Sequence, residues 1–207
     1  MSNKAATKLP YSAAILAGGR SRRMGRDKSM MEIGGVPIIR RIADTLGDIF
    51  PEILIIANEK EQYERMGLDV VGDIHPGNDS LGGLHTAVAK AQGSHVFVAG
   101  CDMPLLRPEL IYGLASMVED WDVVIPMKDD YPEPLCAFYG KKCEFPVLES
   151  ISAGRLKMIG FHEQVRVRRV EEAAWRAWDP EGASFLNANT PEEFEKIKTI
   201  SMRGEPK

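Results

Sequence analysis

Residues 16–28 read LAGGRSRRMGRDK, a glycine pair after Leu16-Ala17 followed by a run of cations. Glycines at Gly18 and Gly19 let backbone N–H groups come close to a phosphate. Arg20, Arg22 and Arg23 bring planar donors that grip phosphate oxygens two at a time. Lys28 adds a compact charge suited to oxygens on which negative charge builds during transfer. Residues 20–28 carry five cations and one anion, in a chain whose formal net charge is −4. Nucleic-acid binders spread basic charge over a face or a helix; a single basic loop in an acidic protein points to a small polyanion. The spacing does not give a GxGxxG fingerprint opening a helix, and GxxxxGK[ST] fits no register of it. A charged surface loop is the plain alternative, and glycines directly after an apolar run argue against it.

A second constellation is Gly100-Cys101-Asp102-Met103-Pro104, after the apolar run Val96–Ala99. A carboxylate at the carboxyl end of a central strand faces the crevice where ligands bind in open α/β sheets. Mg²⁺ takes one or two carboxylates plus phosphate oxygens, so Asp102 is the predicted metal ligand. It lies too far ahead of Pro108 to cap the helix that starts there. Cys101 has no local base and reads as packed. His75, His85, His95 and His162 are scattered without metal-ligand spacing, and His162 reads as an exposed loop residue.

These residues need a scaffold, and the pattern supplies one. Ser12–Ala17 is a continuous apolar run, as expected of a central parallel strand. Val36–Ile49 has helical spacing with Pro37 at the first helical position. A strand at Glu52–Ala57, a short helix around Glu59–Met66 and a strand at Asp69–Val71 follow. Leu81–Ala91 is predicted helical, Val96–Ala99 a strand, Pro108–Val118 a helix and Val123–Ile125 a strand. That alternation is the signature of an α/β, doubly wound, mostly parallel sheet. After Pro126 the rhythm changes: a strand at Leu135–Tyr139, a helix at Cys143–Ser152 and a half-exposed strand at Val165–Val170. Thr190-Pro191-Glu192-Glu193 opens a last amphipathic helix, with Thr as N-cap. One domain over 1–207 is expected, with a nucleotide-binding half at about 10–125 and an acceptor-binding half at about 126–200.

LAGGRSRRMGRDK, continuing through residues 29–38, resembles the signature of the molybdenum cofactor guanylyltransferases, the MobA family. The resemblance runs on through Asp73, the loop 79–84, Cys101–Pro104 and residues 187–192. It implies a glycosyltransferase-A-like, Rossmann-like nucleotidyltransferase. Such an enzyme joins GMP from GTP to the terminal phosphate of the molybdopterin cofactor, releasing pyrophosphate with the help of Mg²⁺. Carried residue by residue, it makes Leu16, Ala17 and Gly18 the nucleotide-binding tripeptide and Lys28 the phosphate-binding lysine. Lys28, Arg23 and Asp102 become the catalytic set; Gly18, Gly19 and Arg20 join the nucleotide site.

The resemblance also places Asn58 near the base, although an asparagine after a strand is equally a turn residue. Asp73 is assigned to GTP, where the residues alone allow a surface turn. Gly82 and Gly83 are retained in the 79–84 loop, but Asp79-Ser80 replaces the family's Gly-Pro pair. Phe185–Pro191 matches the FxNxNTPEE pattern, which puts Asn187 and Asn189 beside the pterin substrate or the metal; a helix cap with turn asparagines is the local alternative. Arg166, Arg168 and Arg169 read as an exposed strand face rather than pterin-phosphate ligands, and Trp175, Arg176 and Trp178 as packing rather than a pterin stack. A cytidylyltransferase, another phospho-acceptor nucleotidyltransferase or a non-catalytic GTP-binding maturation factor are the rival readings.

Composition sets the limits. Hydrophobic residues are 44% and charged residues 27%, ordinary globular values that exclude disorder as the main theme. The longest stretches without Asp, Glu, Lys or Arg are eleven residues, short of the roughly 20 that a membrane span needs. Neither nucleic acid nor a membrane is expected as a partner. Three cysteines, an odd number with no CxxC pair, fit thiols in a reducing cytoplasm. The resemblance adds other cofactor-biosynthesis proteins and apo-molybdoenzymes as partners.

Overall fold

A computed structural model describes residues 7–17 and 28–204, with side chains to residue 202. Gly18, Gly19, Arg20, Arg22 and Arg23, expected to hold phosphate, therefore lie outside the described residues. The first strand, β1 (Ser12–Leu16), is buried along its whole length. It is followed by a two-strand hairpin, β2 (Glu32–Ile33) and β3 (Val36–Pro37), which leads into helix α1 (Ile38–Ile49). Val36 and Pro37 thus pair with Ile33 and Glu32 instead of starting the helix. Gly34 and Gly35 have φ of 60° and 78°, the two left-handed residues that a tight hairpin turn demands. Pro37 becomes the residue before the helix, and the helix starts at Ile38.

Next come β4 (Glu52–Ile56), a single turn α2 (Glu61–Glu64), β5 (Val70–Val71), α3 (Asp79–Lys90), β6 (His95–Gly100), α4 (Pro108–Ala115) and β7 (Val123–Lys128). Helix α2 is shorter than the expected 59–66, and α3 starts before the expected Leu81. The remainder is β8 (Tyr131–Pro132), β9 (Cys136–Gly140), α5 (Glu144–Ser152), β10 (Val167–Val170), α6 (Glu172–Trp175) and α7 (Pro191–Gly204). The expected helix start at Cys143 is a 3-10 turn, Lys141–Cys143, ahead of α5.

The main sheet runs β10-β7-β9-β6-β1-β4-β5, with β8 hung on β7. Strands β5, β4, β1 and β6 are mutually parallel, and β10 is parallel to β7. Strand β9 is antiparallel to both neighbours, with Ala99 opposite Cys136 and Val123 opposite Tyr139. The sequence placed 136–140 in the acceptor half of the one domain; in the sheet this strand lies between β6 and β7. The fold is a mostly parallel, Rossmann-like sheet in which β9 is reversed within the main order and the short β8 is antiparallel to β7 beside it.

Alternation along each strand fills a core on both faces of the sheet. Ala13 and Ile15 pack with Ile38, Ile42 and Leu46 of α1 and Leu110 and Leu114 of α4. Ala14 and Leu16 pack with Leu81, Leu84 and Val88 of α3 and Val147 of α5. The ammonium of Lys141 donates to the carbonyls of Val88 and Ala91, neutralising the carboxyl end of α3. Among the described residues no helix is long and apolar enough to cross a membrane.

Candidate active site

The parallel strands β4, β1 and β6 end on one edge of the sheet, and most predicted site residues sit there. Leu16 and Ala17 close β1 and are buried; Asn58 follows β4 and is exposed; Asp73 follows β5 and Asp102 follows β6, both half-buried. Parallel pairing with tight register brings these ends side by side, with Leu16 opposite Ile56 on one side and Gly100 on the other.

Lys28 joins this edge through the segment around Asn189. Its Nζ donates to Asn189 Oδ1 at 2.9 Å. Its own turn, Lys28–Met30, is anchored by Ser29, whose hydroxyl lies 3.0 Å from the Tyr63 hydroxyl in a buried pair. Asn189 is held in turn. The backbone N–H of Ala188 donates to the Asp102 carbonyl at 3.0 Å, which ties segment 187–189 to the end of β6. Behind it, the buried Asp179 carboxylate accepts from the N–H groups of Ala183 and Ser184 at 3.0 and 2.8 Å. The Ser184 hydroxyl accepts from the Arg107 N–H at 2.9 Å. Asp102, Lys28, Asn187 and Asn189 therefore form one group assembled from three distant stretches of chain.

Asp102 is the electrostatic centre of that group. Burial pushes its carboxyl pKa upward, and the negative charge of Glu193 adds to the rise; its own backbone N–H and the Lys28 ammonium pull it back. Gly100 has to be small here, because a Cβ would stand 2.9 Å from Asp102 Oδ1 and 3.5 Å from Leu135. Asn187 Oδ1 is buried with no hydrogen-bond partner, an acceptor that a ligand or a metal-bound water would satisfy.

Gly83 of α3 packs on the opposite side of the edge. A Cβ there would sit 3.4 Å from the methyls of Leu16 and 3.8 Å from Ile56, so the helix lies close over the end of β1. At Gly82 a Cβ would come within 2.7 Å of the His75 carbonyl and 2.9 Å of Asp73 Oδ2. Asp79, where the family pattern has glycine, has φ of 48°; an aspartate tolerates this left-handed conformation better than most residues.

Several expectations resolve away from the site. Trp175 is fully buried, and its indole N–H donates to the Met127 carbonyl at 2.7 Å. Trp178 lies against Gly113, where a Cβ would be 2.2 Å from its ring. Both tryptophans pack the fold, and Arg176 lies over the Trp175 ring at 5.0 Å. Arg168 and Arg169 are exposed on β10, and Arg166 pairs with Asp122 at 3.4 Å. His162 is half-buried rather than exposed, its ring edge-on to Phe161 at 5.0 Å. The reason is local: a 3-10 turn at His162–Gln164 folds it back onto Phe161. Cys143 is buried with its thiol pKa pushed up to about 12, and burial raises Cys136 further, so neither is a nucleophile. Residues that the sequence did not single out include Ser29 and Tyr63, which anchor Lys28, Asp179, which shapes the 183–185 turn, and Thr86 behind Asp73. Only their neighbours in space give them meaning.

A mostly parallel, Rossmann-like sheet that gathers a carboxylate, a lysine and two asparagines at one edge is the architecture of the nucleotidyltransferases to which the chain is similar. The family model described as the MobA-like NTP transferase domain matches residues 13–167. A molybdenum cofactor guanylyltransferase of Desulfosudis oleivorans is 34% identical over 192 residues, covering 92% of this chain and 95% of its own. A relative from Pelotomaculum thermopropionicum, named for the same activity, is 38% identical over 193 residues, covering 93% of this chain and 94% of its own. The crystal structure of molybdopterin-guanine dinucleotide biosynthesis protein A from Archaeoglobus fulgidus superposes with a TM-score of 0.81 at 28% identity, covering 93% of this chain and 99% of that one. The chain belongs to the MobA-like NTP transferase family.

Proposed function

We propose that this chain transfers GMP from GTP to the terminal phosphate of the molybdopterin cofactor, releasing pyrophosphate and forming the guanine dinucleotide cofactor. The observation that carries the reading is the Lys28–Asn189 hydrogen bond set beside Asp102, in a chain similar along nearly its whole length to guanylyltransferases. The nucleotide would lie over the ends of β1, β4 and β5, against Leu16, Ala17, Asn58, Asp73, Gly82 and Gly83. The acceptor would come from the side of Asn187 and Asn189. An oxygen of the acceptor phosphate attacks the α-phosphorus of GTP, and the bond to the bridging oxygen breaks as pyrophosphate leaves with the electron pair. The acceptor is already an anion at neutral pH, so no strong base is required. Lys28, with the loop arginines Arg20, Arg22 and Arg23, would balance the charge that builds on the leaving phosphates.

The residues fit Mg²⁺. Asp102 offers a half-buried carboxylate, Asn187 Oδ1 a buried acceptor without a partner, and the nucleotide supplies phosphate oxygens. Among the described residues no group of three His, Cys, Asp or Glu could hold a metal alone, so phosphate oxygens of the nucleotide would have to complete the set. Bound there, Mg²⁺ would neutralise phosphate charge during the transfer. On this reading the enzyme would work in the cytoplasm and exchange cofactor with other biosynthesis proteins and apo-molybdoenzymes.

The test is pyrophosphate release by the purified chain with Mg²⁺ and molybdopterin cofactor, comparing GTP with CTP. Release with GTP only when acceptor is present is the expected result. Release with CTP instead would make it a cytidylyltransferase, and GTP binding without release would make it a binder. Lys28→Ala should lower kcat by about a hundredfold or more, the scale of one lost charge-stabilising donor.

A further inference from the structure

We infer that Thr86 is a positioning residue for nucleotide binding: its hydroxyl fixes the Asp73 carboxylate so that one oxygen is spent on the protein and the other is left for GTP. The inference rests on the guanylyltransferase reading, because Asp73 must be one of the GTP ligands. Thr86 is fully buried in the middle of α3. Its Oγ1 stands 2.9 Å from Asp73 Oδ1 and 3.0 Å from the Gly82 carbonyl, and accepts from the Ile74 N–H at 3.0 Å. The His75 N–H donates to the same Asp73 Oδ1 at 2.8 Å. Oδ1 is therefore committed, while no described donor takes Oδ2.

The surroundings show why the hydroxyl matters. Asp73 leaves the end of β5, and the chain then turns through His75 and Asn78 into α3. Asn78 Nδ2 donates to the His75 carbonyl at 3.1 Å. Gly82 lets this loop approach the helix so closely that a Cβ would meet both His75 O and Asp73 Oδ2. Thr86, one turn further along, accepts from Ile74 on the loop side, and its one proton lies within reach of both Asp73 Oδ1 and the Gly82 carbonyl. A threonine in a helix interior gains little from bonding back to its own helix, and valine has the same shape. What valine lacks is the donor to Asp73 and the acceptor for Ile74. Without them Asp73 Oδ1 keeps the His75 N–H alone, and the carboxylate loses its side-chain tie to α3.

The test compares Thr86→Val, Thr86→Ser and Asp73→Ala, singly and with Thr86→Val added to Asp73→Ala. GTP affinity in Mg²⁺ is measured by titration, kcat and both KM values by pyrophosphate release, and folding by thermal melting without ligand. Thr86→Val should raise the GTP Kd and KM about tenfold, the scale of a lost hydrogen bond to a charged group. It should leave the acceptor KM within twofold, and kcat at saturating GTP nearly unchanged. Thr86→Ser should restore GTP affinity to within about twofold, which a purely packing role would not do. On top of Asp73→Ala, Thr86→Val should have no further effect on GTP affinity. Parent-like GTP binding by Thr86→Val overturns the inference; so does a Thr86→Ser protein as weak as Thr86→Val, or an undiminished effect in the Asp73→Ala background. If Asp73→Ala binds GTP normally, both Asp73 and Thr86 leave the nucleotide site while acceptor-dependent turnover with GTP still upholds the transferase reading. Failure of the parent chain to bind GTP would overturn that reading itself.

Discussion

Asp102 shows most directly how function opposes stability at a single residue. Its carboxyl is partly desolvated, so its pKa in the folded chain is raised above that in the unfolded chain. The folded state then holds this proton more tightly, and stability falls as pH rises from the ordinary carboxylate range through the raised value. Above that window the ionised carboxylate is a standing cost, which a bound cation would relieve. Asp102→Asn should therefore melt higher than the parent at pH 7 without Mg²⁺, and the gap should close as pH drops below the ordinary carboxylate range. The same variant should lose Mg²⁺-dependent pyrophosphate release. Melting curves across pH would check the first part; a gap that widens in acid would show the carboxylate to be stabilising. Gly100 belongs to the same argument, since its missing side chain leaves the space that Asp102 Oδ1 occupies.

At the scale of elements, the entry to α7 ties helix formation to the site. Thr190 Oγ1 accepts from the Glu193 N–H at 3.1 Å, and Glu193 Oε2 accepts from the N–H groups of Thr190 and Asn189 at 2.9 and 3.1 Å. This reciprocal cap satisfies donors that the first turn leaves open. It also fixes Asn189, the partner of Lys28. Thr190→Ala should cost about 1 kcal/mol, seen as a drop of about 2–4 °C in melting temperature for a chain of this size. Because Asn189 is next in line, kcat should fall while GTP affinity, for which Asp73 and Asn58 are proposed on the other side of the edge, stays near parental. An unchanged melting temperature would show that Glu193 alone holds the cap. The hairpin around Gly34 and Gly35 does the matching service for Lys28, passing the chain into α1 through Ile38, whose N–H donates to the Met31 carbonyl at 2.9 Å.

For the whole molecule, His162 and His85 add to the loss of stability in acid. Burial, with the nearby Arg169 charge, pulls the His162 pKa down from 6.5 to about 4. His85, buried against His75 with both ring nitrogens unpartnered, is lowered as well. In each case the unfolded chain takes the proton first. The stability of neutral His162 is fully present above pH 6.5 and is lost as pH falls towards about 4. Thermal melting should therefore decline over that interval, and His162→Gln should flatten the decline. An equally steep decline in the variant would assign it to other groups.

How much of this was legible in the chain depends on the range of the forces involved. Strands β1, β4 and β6 were readable because burial on both faces writes a continuous apolar run, and the α7 cap because Thr, Pro and Glu act within one turn. The glycines and cations of residues 18–28 and the carboxylate at Asp102 could be named because charge and glycine content are local properties. Pro37 misled, since hairpin pairing with Glu32 outweighed its preference for a helix start, and His162 misled because a turn folds it onto Phe161. The insertion of β9 between β6 and β7 leaves no local trace, for a strand's direction is chosen by its neighbours. Nor does the chain show that Asn189 meets Lys28, that Tyr63 anchors Ser29, or that Thr86 stands behind Asp73. The sequence by itself determined the kinds of chemistry available and the elements that carry them. Tertiary structure decided which groups act together, because a hydrogen bond is made only within about 3 Å, and only the folded sheet brings distant residues that close.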